Sequence, residues 1–173
     1  EDDLIFFRNI VERVSIIILR LDSRGTITYV NEYGLRFFRY ERDELIGKNM
    51  LGTIVPEIDS SGRNLGNLVA ELFENTDQYA TNENENIRGD GTHVWVHWMN
   101  SRILDEQGNV REILCVGNDA TVRKHVEAAL EEERHFLREL SDAIPNPLYY
   151  KDIDGRFLMC NRAFERYSGF SSE

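Results

Sequence analysis

The chain is short of the residues that staple, anchor or kink a protein. It has two cysteines and three prolines in 173 residues. Cys115 and Cys160 lie in separate apolar stretches, EILCVG and FLMCNR. Neither belongs to a CxxC pair or a Cys/His ligand spacing, so a disulfide framework and a metal centre are excluded and both read as buried free thiols of a cytoplasmic protein. No apolar run nears the roughly 20 residues of a bilayer span, and the start lacks the basic segment and cleavage site of a secretory signal. The chain is therefore expected to be soluble and to make no membrane contact of its own, whatever anchors its parent. Positive charge is also scarce: 20 Lys and Arg stand against 31 Asp and Glu, a net charge of −11. That excludes a basic stripe for nucleic acid. There is no glycine-rich phosphate loop, no nucleophile elbow and no paired-carboxylate cleft, so no catalytic residue is expected. Glu1 stands where Met would open a chain, and Glu173 falls in a polar turn. Both ends read as cuts within a longer protein.

What is present begins with a repeat. DSRGTITYVNEYGLRFFRY lies over DIDGRFLMCNRAFERYSGF, with Gly155 against Gly25, Asn161 against Asn31, Asp152 against Asp22 and Arg166 against Arg36. Each copy has a short apolar strand, SIIILRLD or PLYYKD, a turn with Asp and Gly, and a second strand, TITYV or RFLMC. Asn then stands where a helix N-cap belongs, ahead of an aromatic-rich helix.

The first copy continues. YERDELIGKN predicts a short helix closed by Gly47, and NMLGTIVP a helical turn ended by Pro56. GRNLGNLVAELFEN predicts the clearest helix, with Leu65, Leu68, Val69, Leu72 and Phe73 on one stripe. Three strands follow: YATNENENIR to the Asp90-Gly91 turn, THVWVHWMNSRIL to DEQG, then NVREILCVGND. Two strands, several short helices and three antiparallel strands make an α+β domain on one sheet.

DSRGTITYVN, YERDELIGKN, RGDGTHVWVHW and ILDEQGNVREILCVGNDAT, in this order and spacing, resemble the PAS family, the sensory module of bacterial signalling proteins. The resemblance covers residues 15–121, and residues 147–173 resemble the start of a second PAS domain. It implies a five-stranded antiparallel sheet in the order 2-1-5-4-3 with helices packed over one face. It also implies a multidomain sensor as parent, most often a histidine kinase of a two-component phosphorelay, alternatively a diguanylate cyclase. The expected plan is an N-terminal amphipathic helix over 1–14, the PAS domain over 15–121, a signalling helix over 122–144 and the truncated second copy over 145–173.

Strand residues alternate between faces. By the resemblance Val94, Val96, Trp98 and Asn100 face the helices, and Asn82, Asn84 and Asn86 point the same way, with Glu83 and Glu85 outward. Cys115, Leu68 and Leu72 complete the candidate pocket. Inward amides need partners; either they hold a small polar ligand or trapped water, or they bond backbone and each other. The photoactive flavin subgroup of the family carries a Cys where this chain has Met50 and a flavin-contacting Gln where it has Gly117. Haem PAS domains use a His on or near the long helix, and 62–78 has none. Neither flavin nor haem is expected.

Trp95, His97 and Met99 make the outward face too apolar to stay bare; the N-terminal helix, from the same chain or a partner, is the natural cover. His93 and His97 share that face without a third ligand, so no metal site is expected. Phe7, Ile10, Val11 and Val14 share one face of the N-terminal helix. In the linker, Val122, Val126, Ala129, Glu133, Phe136, Leu140 and Ala143 step by alternating fours and threes, a heptad seam with one acid in it; Leu130 and Leu137 widen it and Pro145 ends it. A homodimer through both helices is expected, feeding an output domain of the same polypeptide. Thr121 reads as N-cap of the linker helix, and the resemblance implies that Asp119 and Thr121 couple sheet to linker. His135, in RHFLREL, lacks the acid and the proline of a kinase phospho-acceptor motif and reads as a solvated linker residue.

Overall fold

The computed structural model describes residues 2–74 and 80–169, without the side chains of residues 2–5, 7, 8 and 69. Phe7, expected at an interface, and Val69, expected on the apolar stripe, lie outside the described side chains. The chain divides into two compact units, 1–122 and 123–173.

In the first unit α1 (Asp2–Arg13) leads into a hairpin of β1 (Ile17–Leu21) and β2 (Ile27–Val30). The short helices α2 (Glu32–Phe38), α3 (Arg42–Leu45) and α4 (Leu68–Glu74) follow, then β3 (Thr81–Ile87), β4 (His93–Leu104) and β5 (Val110–Asp119). The five strands form one antiparallel sheet in the order β2-β1-β5-β4-β3. Alternation puts Ile17, Leu19, Leu21, Val94, Val96, Ile113 and Cys115 on its inner face, where they bury with Phe38, Leu45, Ile54, Leu68 and Leu72 from the connecting segment. α5 (Thr121–Ala143) leaves β5 as one continuous helix. The second unit holds the hairpin β6 (Tyr149–Lys151) and β7 (Phe157–Cys160) and the helix α6 (Arg162–Ser168).

One loop recurs four times with the spacing Asp-x-x-Gly-x, at Asp22, Asp59, Asp105 and Asp152. Each time the Asp backbone N–H donates to the carbonyl four residues on, and the Gly N–H returns to the Asp carbonyl. The same Asp carboxylate accepts the N–H groups two and four residues on. The glycines have φ of 79, 86, 83 and 82°, which only Gly adopts without strain. Sequence marks three of these turns; the Asp59 turn has the same spacing and was within reach of the same reading.

One expected helix is shorter in the structure, and the helical turn expected of NMLGTIVP is there. The helix over 64–74 begins only at Leu68: the Asn64 side chain accepts the Gly66 N–H at 2.7 Å, and this local bond competes with helix at a position followed by Gly. Leu65 is still buried, from a turn. Residues 50–55 form a single tight turn on the Met50 carbonyl, which receives the N–H groups of Thr53, Ile54 and Val55.

Candidate functional site

The inward asparagines of β3 and β4 bond one another head to tail. Asn100 donates to Asn82 (2.7 Å), Asn82 to Asn84 (3.0 Å), Asn84 to Asn86 (3.2 Å) and Asn86 to the Ile54 carbonyl (2.9 Å). Trp98 Nε1 adds a donor to Asn86 at 3.3 Å. Asn84, Asn86 and Asn100 are buried, so this chain of amides is how the inner face carries polar groups without leaving donors bare. Beside it lies a cavity of about 20 Å³ lined by Leu19, Leu21, Met50, Ile54, Val55, Leu68, Leu72, Asn82, Asn84, Trp98, Asn100 and Cys115. That is room for about one water molecule.

The structure thus brings together seven of the expected pocket residues: Asn82, Asn84, Trp98, Asn100, Cys115, Leu68 and Leu72. Asn86, Val94 and Val96 are buried but do not line the cavity; Asn86 closes the ladder on Ile54. Missed were the β1 leucines and the 50–55 turn. Met50, singled out for the Cys it replaces, lines the wall. Burial pushes the Cys115 thiol up to about 12. The Trp98 ring stacks on Phe38 at 6.5 Å and lies over Gly117, where an added Cβ would meet it at 2.7 Å.

Glu85 takes the outward face as expected, and there it is covered rather than open. It is 3% exposed, accepting the Ser60 N–H at 2.6 Å and pairing with His93 Nδ1 at 3.0 Å. Glu83 pairs with His97 Nδ1 at 3.1 Å. The Asp59 loop, unforeseen, supplies the backbone that covers Glu85.

Thr121 has a partner far away in the sequence. Its hydroxyl accepts the Trp95 N–H of β4 at 3.0 Å. The Asp119 carboxylate takes the Thr121 N–H at 2.9 Å, and the Ala120 N–H donates to the Trp95 carbonyl at 2.9 Å. Both backbone groups of Trp95 are thereby held by the first residues of the linker. β4 carries Trp98 and Asn100 into the cavity a few residues further on.

The sequence matches the PAS fold family over residues 5–120 and a PAS domain family over residues 135–173. The chain belongs to the PAS family. Its PAS fold resembles solved structures: a PAS domain from Colwellia psychrerythraea (TM-score 0.59, 20% identity, 69% of this chain and 98% of that one). A sensory box histidine kinase/response regulator from Burkholderia thailandensis is similar too (TM-score 0.57, 22% identity, 77% and 98%). Among curated relatives, the sensor protein kinase WalK of Staphylococcus saprophyticus is 29% identical over 140 residues, 81% of this chain and 20% of WalK. The virulence sensor protein BvgS of Bordetella pertussis is 48% identical over 42 residues, 24% of this chain and 3% of BvgS. The chain thus spans a small part of the sensor kinases it matches, as a sensory PAS segment.

On the outer face of the PAS sheet Trp95 and His97 are half-buried and Met99 is 43% exposed. The last turn of α1 bonds Tyr29, Asn31 and Glu32, on β2 and α2, three places along the sheet from β4. Val11 and Val14 are half-buried, and Ile10 is exposed. Along α5, Val122, Val126, Ala129, Phe136 and Leu140 are all exposed. His135 pairs with Glu139 at 3.4 Å on the open helix surface. Among the described residues no cluster of His, Cys, Asp or Glu could hold a metal ion, and no helix is long and apolar enough to cross a membrane.

Proposed function

We propose that this chain is the input segment of a cytoplasmic sensor histidine kinase, homodimeric through α5 and the outer sheet face, and that β4 carries the signal. The observation behind this reading is the clasp on Trp95. One strand lines the cavity with Trp98 and Asn100 and holds the start of α5 through Thr121 and Ala120. A change in the asparagine ladder shifts β4, and a shift of β4 moves the helix that leads to the output domain. The exposed seam of α5 gives a partner helix its contact. Glu133 within it keeps two packings close in energy.

Flavin and haem are not part of this reading. The Trp98 ring over Gly117 fills the space a flavin-contacting side chain would need. The stimulus is a ligand of a few atoms at the asparagine ladder, or a partner at the outer face. A dimerisation module without ligand is the second reading. It is favoured by amides that satisfy one another beside space for about one water.

Thr121→Ala tests the clasp. It costs about 1 kcal/mol of stability, one hydrogen bond, and the output of the intact signalling protein stops responding; a normal response overturns the reading. Mass spectrometry of small molecules released from the purified chain separates the two readings. A stoichiometric compound supports sensing, and none supports the ligand-free module.

A further inference from the structure

The clasp at Thr121 is where a signal leaves the first copy. The structure also repeats a device at the other end. Asn31 is fully buried, and its amide uses all its bonding capacity. Oδ1 accepts the N–H of Ile18 in β1 (3.0 Å) and of Gly34 in α2 (3.0 Å). Nδ2 donates to the carbonyls of Val11, in the last turn of α1 (2.9 Å), and Ile16 (3.0 Å). Glu12, next to Val11, accepts the N–H of Glu32 at 2.7 Å and the Tyr29 hydroxyl at 2.8 Å.

The second unit has the same arrangement about its asparagine, with the partners of Asn31 moved by the repeat and the Ile144 carbonyl added. Asn161, also fully buried, accepts the N–H of Leu148 and of Phe164, both at 2.9 Å. Its Nδ2 donates to the Ser141 carbonyl, in the last turn of α5, at 3.0 Å, and to Ile144 and Asn146. Asp142 accepts the Arg162 N–H at 2.8 Å. Ser141 answers to Val11, and Asp142 to Glu12.

The N-cap role uses only one acceptor bond of each asparagine. The donor half reaches back to the helix that arrives from upstream, whose last carbonyls have no partner within the helix. The neighbouring acid reaches forward to the first N–H of the next helix, a favourable place for negative charge. The repeat extends into the helices: Phe136 stands against Phe6, Arg138 against Arg8 and Leu140 against Ile10. Val11 is replaced by Ser because only its carbonyl is used, whereas an acid stands at both 12 and 142 because the side chain is used.

We infer that Asn31 with Glu12, and Asn161 with Asp142, are input joints: positioning residues that lock the last turn of an arriving helix to the first strand and first helix of the PAS core behind it. In this arrangement α5 is both the output helix of the first copy and the input helix of the second. A displacement of the helix end then reaches β1 and α2 through a single amide, without passing through the cavity.

The test uses hydrogen exchange on the full chain. Asn31→Asp keeps the acceptor of the N-cap and loses the donor to Val11 and Ile16. Amides of residues 10–16 are expected to exchange roughly tenfold faster or more, two hydrogen bonds' worth, while Gly34 and Ile18 keep their protection. Unchanged exchange in 10–16, or equal loosening of the whole unit, makes Asn31 a fold-holding cap and overturns the joint. Transmission is read with Asn9→Pro, which breaks α1 upstream. It is expected to alter protection of Ile18 and Gly34 in the natural background and not with Asn31→Asp. The same change in both backgrounds, or none in either, overturns it. Should Asn31→Asp fail to fold, Glu12→Ala and Asp142→Ala carry the same tests, since each removes only the carboxylate half.

Discussion

The hairpins β1–β2 and β6–β7 are built by the same bonds and end in different surroundings. Both have the Asp-x-x-Gly-x turn, an irregularity in register at the same place, between Arg20 and Leu21 or Tyr150 and Lys151, and an asparagine cap behind the second strand. Yet Leu19 and Leu21 are 2% and 1% exposed, whereas Tyr149 and Phe157 are 53% and 52% exposed. Turn and cap chemistry therefore shapes a hairpin without a core. What buries the first hairpin is β5 along its edge and the helices beneath it, which come from far along the chain. Local bonds decide shape; distant strands decide stability.

The sharpest way to break this comparison is to remove one phenylalanine from each copy. Phe38 is wholly buried, edge-on to Phe37 at 5.1 Å and stacked with Trp98. Phe38→Ala is expected to destabilise the first unit by about 3–5 kcal/mol. Among the described rings Phe157 meets Tyr149 and Phe164, and it is half open to solvent, so Phe157→Ala is expected to cost less than about 1 kcal/mol. Denaturant unfolding followed by fluorescence reports the first unit, because Trp95 and Trp98 are the two tryptophans of the chain. Equal losses would mean that the two hairpins draw on the same core.

A smaller effect is expected in the ladder. Asn84→Ala leaves the donor of Asn82 without its acceptor and the Asn86 oxygen with Trp98 Nε1 as its donor, and should cost about 1–3 kcal/mol. The same measurement checks it, and a neutral result would show that water replaces the amide.

The line between local and distant also divides what could be read in the sequence. The Asp-Gly turns, both asparagine caps, the α5 helix and the inward ladder were legible, because each depends on residues a few positions apart or on strand alternation. Thr121's partner was not. It is Trp95, 26 positions away, and a Thr ahead of a helix reads equally well as a cap. The cover over Glu85 was not legible for the same reason: its partner Ser60 lies 25 positions away, and alternation says which face a residue takes but not what covers it. The inward direction of the asparagines was legible; that they would answer one another from Asn100 to Ile54 required the register of β3 against β4.

The Asp59 turn sharpens the comparison through pH. Burial alone would raise the Asp59 carboxyl; the Ser61 hydroxyl, the backbone N–H groups of Arg63 and Ser61 and the Arg63 guanidinium outweigh it and hold the carboxyl below its ordinary value. A carboxyl depressed in the folded state stabilises above the unfolded value of about 4 and loses that contribution as pH falls through the lower folded value. Asp59→Asn should therefore narrow the difference in denaturation midpoint of the first unit between neutral and acid pH. An unchanged difference would mean that the turn is held by its backbone bonds alone.

The thiols give the mildest probe of the same contrast, one in each copy. Cys115 is 3% exposed on the cavity wall, and burial raises it to about 12, so at mildly alkaline pH it is neither accessible nor ionised, and the thiolate is the reacting form. Cys160 is half-buried at the end of β7. Alkylation of the native chain should modify Cys160 first, and Cys115 only as fast as the first unit opens, so that Phe38→Ala accelerates labelling at Cys115 and leaves Cys160 unchanged. If both cysteines react together in the native chain, the inner face of the complete sheet opens as readily as the isolated hairpin, and the distant strands do not supply the protection assigned to them.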